Sequence, residues 1–158
     1  MLPFDIRPAT ESDAERIFDT HRNSVVQLCA ASYSAEQIRC WLEGRSAAMY
    51  LDPIRRGDLW VADDGGLLGF VEVAGDELTK LFVRGDHSHA GVGTALLNRA
   101  IAEISARGHA RVYLEATTNA RPFYARHGFA VIGHGHFSHG GSAVPLEITH
   151  MERTAPFV

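Results

Sequence analysis

Cysteine is scarce in this chain. Cys29 and Cys40 are the only two, and they form neither a disulfide framework nor a C-x-x-C pair, so both read as reduced thiols in a cytoplasmic protein. A surplus of positive charge is also missing: 15 Lys and Arg stand against 19 Asp and Glu, a net charge of −4. That excludes the basic footprint of a nucleic-acid binder. No stretch approaches the roughly 20 apolar residues that cross a bilayer, and no membrane partner is expected. Asp5 and Arg7 interrupt any leader-like apolar run at the start. Internal repeats, low-complexity tracts and Pro/Ser linkers are absent from the sequence. What remains is the balance of a globular chain: 46% hydrophobic and 22% charged residues, too apolar for intrinsic disorder. The length of 158 residues suits one domain over 1–158. A domain of that size buries roughly 70% of its unfolded surface and needs no covalent staples.

The pattern predicts the element order βαα, βββ, α, β, α, ββ. Residues 4–7 alternate as a short strand. Thr10 or Ser12 can cap a helix to about Cys29, with Glu11, Asp13 and Glu15 in its favourable first turn. Ser34 and Gln37 have capping-box spacing ahead of Ile38, Trp41 and Leu42 on one face. Asp52-Pro53 starts a short turn of helix that Gly57 stops. Asp63-Asp64-Gly65-Gly66 joins strands 59–62 and 67–73 as a hairpin, and a third strand follows over 78–83. Residues 91–107 carry an apolar stripe at helical spacing: Val92, Leu96, Ala100 and Ile104, with Leu97 and Ile101 beside them. A strand over 110–116, a short helix over 119–127 and strands at 129–132 and 144–148 complete the chain. Antiparallel strands followed by one β-α-β crossover imply an α/β (α+β mixed) fold: a mixed, mostly antiparallel sheet with helices on both faces.

Two segments carry chemistry. In LFVRGDHSHAGVGTALL, a strand ends and Gly91-Val92-Gly93 opens a helix. Free N–H groups at a helix start make an anion site, and glycines let the backbone approach a bulky anion such as pyrophosphate. Arg84, His87 and His89 add positive charge. The run is not a Walker A loop, since no Gly-Lys-Ser/Thr follows, and Leu96 stands where a dinucleotide fingerprint needs its third glycine. In NARPFYARHGF, Tyr124 sits on a short helix that ends at Gly128. A phenol with an ordinary pKa of about 10 is a usable proton donor, although packing alone also accounts for a tyrosine there.

Together the segments resemble the GNAT superfamily of acetyl-CoA-dependent N-acetyltransferases. Val83, Gly91 and Gly93 match the register of its V-x-P-x-x-R-x-x-G-x-G/A loop. Ala120, Phe123, Tyr124, Gly128 and Phe129 match its A-x-x-F-Y-x-x-x-G-F motif, and the opening IRPATESDAERI is similar to its first strand and helix. Three positions depart: Ser88 replaces the usual Gln or Arg, Gly85 replaces the proline, and Thr117 stands where an Asn is expected, with Asn119 close by.

The resemblance implies a sheet splayed at its centre and acetyl-CoA as co-substrate, with no metal. Leu81, Phe82 and Val83 would meet the pantetheine arm as an added strand does. Backbone N–H groups of Ser88, His89, Ala90, Gly91, Val92, Gly93 and Thr94 would hold the pyrophosphate. Asn119, Phe123 and Arg126 would complete the cofactor side, with Arg84 or Arg121 as further phosphate partners. The Val83 N–H would receive the oxyanion and Tyr124 would act as general acid. For the general base, Glu72 is the leading candidate because it shares a strand face with Phe70; Glu115, His21 and Glu77 follow, and a water chain is the family's common substitute. Tyr33, Trp41 and His21 are candidates to line the acceptor side. A small-molecule or peptide primary amine is the expected substrate, and a homodimer stays open by analogy. The rival reading is a non-catalytic acyl-CoA-binding module. His134, His136 and His139 alternate as strand chelators do, but without an acidic or cysteine partner in pattern they are expected to bind no metal.

Overall fold

The Asp63–Gly66 turn forms the expected hairpin, and the rest of the sheet is laid against it. The computed structural model describes residues 2–85, 91–136 and 146–157. Its strands are β1 (Asp5–Pro8), β2 (Leu59–Asp63), β3 (Leu67–Ala74), β4 (Glu77–Val83), β5 (Arg111–Thr117), β6 (Ala130–His136) and β7 (Glu147–Thr154). Its helices are α1 (Ala14–Leu28), α2 (Ala35–Leu42), α3 (Leu51–Arg56), α4 (Val92–Ala106) and α5 (Arg121–Arg126). The strands form one sheet in the order β1-β2-β3-β4-β5-β7-β6. Every neighbouring pair is antiparallel except β4 and β5.

Alternation along β2 and β3 divides the core in two. Val61 and Phe70 meet Ile17 of α1, together with Tyr50 and Ile54. Trp60, Ala62 and Val71 meet Leu96, Leu97 and Ala100 of α4. Helices therefore cover both faces, as the element order predicts. The α4 stripe is buried along its whole length, from Val92 to Ile104. Its approach requires glycine at position 69: a Cβ there would lie 2.9 Å from the Phe82 carbonyl oxygen and 3.0 Å from Leu96 Cδ1. On the other face, the capping box before α2 forms as its spacing predicts. Gln37 N–H donates to Ser34 Oγ at 3.1 Å, and Ser34 N–H to Gln37 Oε1 at 2.8 Å.

Two boundaries differ from expectation. The entry to α1 is not one of them: Thr10 is the N-cap of a 3-10 turn, Glu11–Asp13, that leads into α1, and Asp13 closes its capping box. Asp13 is 1% exposed and accepts hydrogen bonds from the Thr10 N–H, Arg7 and Arg16. β6 continues through His134 and His136, because pairing with Thr149 and Glu147 satisfies its backbone. The last strand spans Glu147–Thr154, well past the expected end at 148, while residues 144 and 145 lie outside the described residues. It lies between β5 and β6, so its backbone is paired on both sides although only alternate residues such as Met151 reach the core.

Candidate active site

β4 and β5 run side by side for only two register pairs, Glu77 with Tyr113 and Leu78 with Leu114. Beyond Leu78 the strands part. The register of β4 decides what its backbone presents to the gap. Phe82 pairs with Phe70 and Val83 with Gly69, while the Arg84 N–H donates to the Leu68 carbonyl at 2.9 Å. Backbone groups alternate sides along a strand, so the N–H and C=O of Leu81 and Val83 face the gap.

A cavity of about 360 Å³ lies on this exposed edge. Its walls include Leu81, Phe82 and Val83 of β4, Gly93 of α4, and Asn119, Phe123, Tyr124 and Arg126 from the α5 segment. The structure thus brings Leu81, Phe82, Val83, Gly93, Asn119, Phe123 and Arg126, from two distant motifs, to one cavity. Gly91 adopts φ +79°, the left-handed region that favours glycine, immediately before α4. The Val92 side chain is fully buried, which leaves only its backbone for a ligand. The Thr94 hydroxyl bonds His127 Nε2 at 3.2 Å, and His127 Nδ1 bonds the Phe123 carbonyl at 2.8 Å, joining α4 to α5. Ser88, His89 and Ala90 lie outside the described residues, as do His87 and His139. Cys29 also lines this cavity, a position no motif signals. Burial pushes its thiol up to about 12, against the opposing hydrogen bond with Asn119.

A smaller cavity, about 40 Å³, opens on the other side of the same gap. His21, Trp41, Arg45, Lys80 and Glu115 help to line it. Leu81, Phe82, Thr117, Ala120 and Tyr124 border both cavities. The Tyr124 ring is 5% exposed and packs edge-on against Phe123 and Phe129, at 5.2 and 5.7 Å between centroids. Burial alone drives its pKa well above the ordinary phenol value, so the hydroxyl stays protonated.

Glu72 is placed differently from the expectation of a base in the cleft. It is buried, accepts from Thr79 Oγ1 at 2.5 Å and Lys80 Nζ at 2.9 Å, and lines neither cavity. Its carboxylate is the counter-ion of Lys80. Tyr33 is likewise committed: its hydroxyl donates to the Glu147 carbonyl at 2.6 Å and accepts from the Thr118 N–H at 3.0 Å. His21 is 1% exposed, stacks on Phe82 at 4.1 Å and bonds Tyr50 through Nδ1 at 2.6 Å. Burial first, then the charges of Arg45 and Lys80, hold its pKa well below the usual imidazole value. Arg45 belongs to no motif and was not foreseen; only the fold brings it to the cavity. Among the described residues, no group of three or more His, Cys, Asp or Glu is placed to hold a metal ion.

Comparison with known proteins adds four findings. The family model described as an acetyltransferase (GNAT) domain matches residues 29–150. The chain is 23% identical to the uncharacterized N-acetyltransferase YafP of Escherichia coli, over 84% of this chain and 85% of that one. Among solved structures, it is similar to a GCN5-related N-acetyltransferase from Rhodopseudomonas palustris, with TM-score 0.81, 25% identity and 96% of each chain covered. The fold also matches that of the PaiA N-acetyltransferase of Thermoplasma acidophilum, a structure in complex with coenzyme A. That match has TM-score 0.78 and 24% identity, covering 96% of this chain and 99% of the other.

Proposed function

The chain belongs to the GNAT acetyltransferase family, and from that premise we propose that it transfers an acetyl group from acetyl-CoA directly to a primary amine. The observation that carries the proposal is the position of Tyr124, whose ring borders the cofactor-side cavity and the acceptor-side cavity at once. Bound acetyl-CoA supplies an acyl group activated as a thioester. The chain's own residues do the rest. The β4 edge at Leu81 and Val83 offers the pantetheine arm a strand-like partner. Gly93 leaves open the space beside Phe123 and Val83, where a Cβ would sit 3.4 and 3.7 Å from those side chains. The unpaired N–H groups at the start of α4, with Arg126 close by, favour the pyrophosphate. The Val83 N–H faces the gap, which supports reading it as the donor to an oxyanion there.

In the transfer, a C–N bond forms as the C–S bond breaks. The amine sheds one proton to water, and the thiolate takes one from Tyr124, which water then restores. Cys29 has no part as a nucleophile, because its raised pKa keeps it a thiol at neutral pH. Glu72 acts through Lys80, holding that ammonium in place, and the proton leaves the amine through water at the mouth of the acceptor cavity.

An acetyl-CoA turnover screen over an amine panel, read by free-thiol release against a no-amine control, tests the proposal. Amine-dependent thiol release supports it. CoA binding with no amine-dependent release would establish the binding-module rival instead.

A further inference from the structure

His21 borders the acceptor cavity, and its fully buried Nε2 has no hydrogen-bond partner among the described residues. An orphaned polar atom in such a place costs stability unless a ligand completes it. Its chemical character follows from the other ring nitrogen. His21 and Tyr50 are both neutral: burial lowers the imidazole pKa and raises that of the phenol. They share one hydrogen bond, between Nδ1 and the Tyr50 hydroxyl. Were the imidazole proton on Nδ1, the buried phenol proton would lack an acceptor and Nε2 would be an orphan as well. With Tyr50 donating to Nδ1, the proton sits on Nε2 and only that one group awaits a partner. His21 thus presents an N–H donor to the cavity, not a base.

Arg45 stands beside it. Its Nε donates to the Trp41 carbonyl at 2.8 Å, and no carboxylate among the described residues pairs with its guanidinium. Burial lowers its pKa, the mark of a cation held partly out of water. Lys80, the other cation of the cavity, is already neutralised by Glu72 at 2.9 Å. Glu115 contributes a carboxylate to the lining from β5. The lining therefore offers a cation with two terminal nitrogens, a neutral N–H and a negative charge.

We infer that the acceptor is an amino carboxylate, its carboxylate held by Arg45 and His21 Nε2–H and its amine entering on the Glu115 side, next to Tyr124. Arginine suits the task because its planar fork meets a carboxylate with two parallel hydrogen bonds. The carboxylate completes the orphaned His21 donor, and the Glu115 charge attracts the ammonium form before it sheds its proton. This inference rests on the acetyltransferase reading above, since it names the substrate class of that site.

The test compares common α-amino acids with their amides and with the amines left by decarboxylation. Two readouts are taken on the full chain: thiol release with acetyl-CoA, and calorimetric binding with CoA present. At least one amino acid should exceed its amide by tenfold or more in kcat/KM and in affinity. In Arg45→Gln that preference should fall to within about twofold, with CoA affinity unchanged, and Arg45→Lys should restore part of it. Equal or better use of the amide or the decarboxylated amine by the wild-type protein would overturn the inference while leaving acetyl transfer standing. Selective, Arg45-dependent amino acid binding without thiol release would do the reverse: the site assignment would hold and the catalytic reading would fall. Absence of amino acid binding and turnover across the panel would overturn the substrate class.

Discussion

Replacing Tyr124 by phenylalanine removes one hydroxyl and nothing else from the gap between the two cavities. The ring contacts with Phe123 and Phe129 remain, so the fold should lose no more than about 1 kcal/mol. The catalytic cost follows from proton affinities. A CoA thiol has a pKa of about 8.5 by analogy with cysteine, and an ordinary phenol about 10. Burial raises Tyr124 further, so full proton transfer to the thiolate is uphill by at least about 2 kcal/mol. The hydroxyl therefore acts first by hydrogen-bonding the sulfur as charge builds on it, and the proton it then hands over is replaced from water. Hydrogen bonds to charged groups contribute about 1.5–3 kcal/mol, so their loss slows the step about ten- to a hundredfold. The effect should appear in kcat, with acetyl-CoA affinity nearly unchanged, because the interaction is made in the transition state. Thiol release under saturating substrates, paired with calorimetry, separates the two quantities. The raised pKa also predicts that wild-type kcat shows no alkaline loss assignable to Tyr124 below about pH 10. Full kcat in Tyr124→Phe, with chemistry demonstrably rate-limiting, would refute the reasoning and leave the tyrosine a packing residue.

Gly93→Val should weaken CoA binding at least about tenfold, roughly 1.4 kcal/mol by calorimetry, because its side chain would enter the space beside Phe123. Gly93 is the cleaner target than Gly91, whose φ of +79° would make a valine there a folding defect as well. His21 predicts an acid limb in stability. Its folded pKa lies below the unfolded 6.5, so its contribution is complete above that pH and lost as pH falls toward the folded value. Urea denaturation between pH 6.5 and 4.5 should show up to about 1.4 kcal/mol lost per pH unit, a slope that His21→Gln removes. Asp13→Ala should cost about 1–3 kcal/mol by the same assay, because it removes the buried acceptor that Arg7 and the Thr10 N–H share, while Arg7 keeps Asp63. With its carboxyl pKa depressed mainly by the Arg7 hydrogen bond, wild-type Asp13 stabilises above pH 3.8 and ceases to as pH falls further, a loss the alanine variant should lack.

Much of the fold was legible because local and long-range preferences agree. Asp63–Gly66 is a turn by composition and by position, and the stripe from Val92 to Ile104 is the face that α4 buries. The cofactor side was legible for a different reason: Val83, Gly91, Gly93 and the Ala120–Phe129 segment lie in two short motifs whose spacing survives in one dimension. The acceptor side has no such motif. Arg45 follows α2, His21 lies within α1 and Glu115 on β5, so only tertiary packing brings them together. A trace of His21 was present, since Ile17, His21 and Val25 recur at intervals of four on the buried face of α1. β7 was undercalled because Thr149, His150 and Glu152 are polar residues on a strand stabilised by backbone pairing on both sides, which composition does not record.

The buried pair between Glu72 and Lys80 has a bearing on how the protein withstands its own reagent. Lys80 is the only lysine in the chain; its other cationic side chains are arginines. Thioesters acylate lysine amines slowly without any enzyme, and surface lysines are the usual casualties. Here the lone lysine side chain is 19% exposed and its ε-nitrogen is tied to a carboxylate at 2.9 Å, while guanidinium groups resist acylation. A protein proposed to hold activated acetyl groups thus presents almost no lysine amine of its own to receive them. Its mass after long incubation with acetyl-CoA alone should rise by no more than the single acetyl group that a free α-amino terminus can accept.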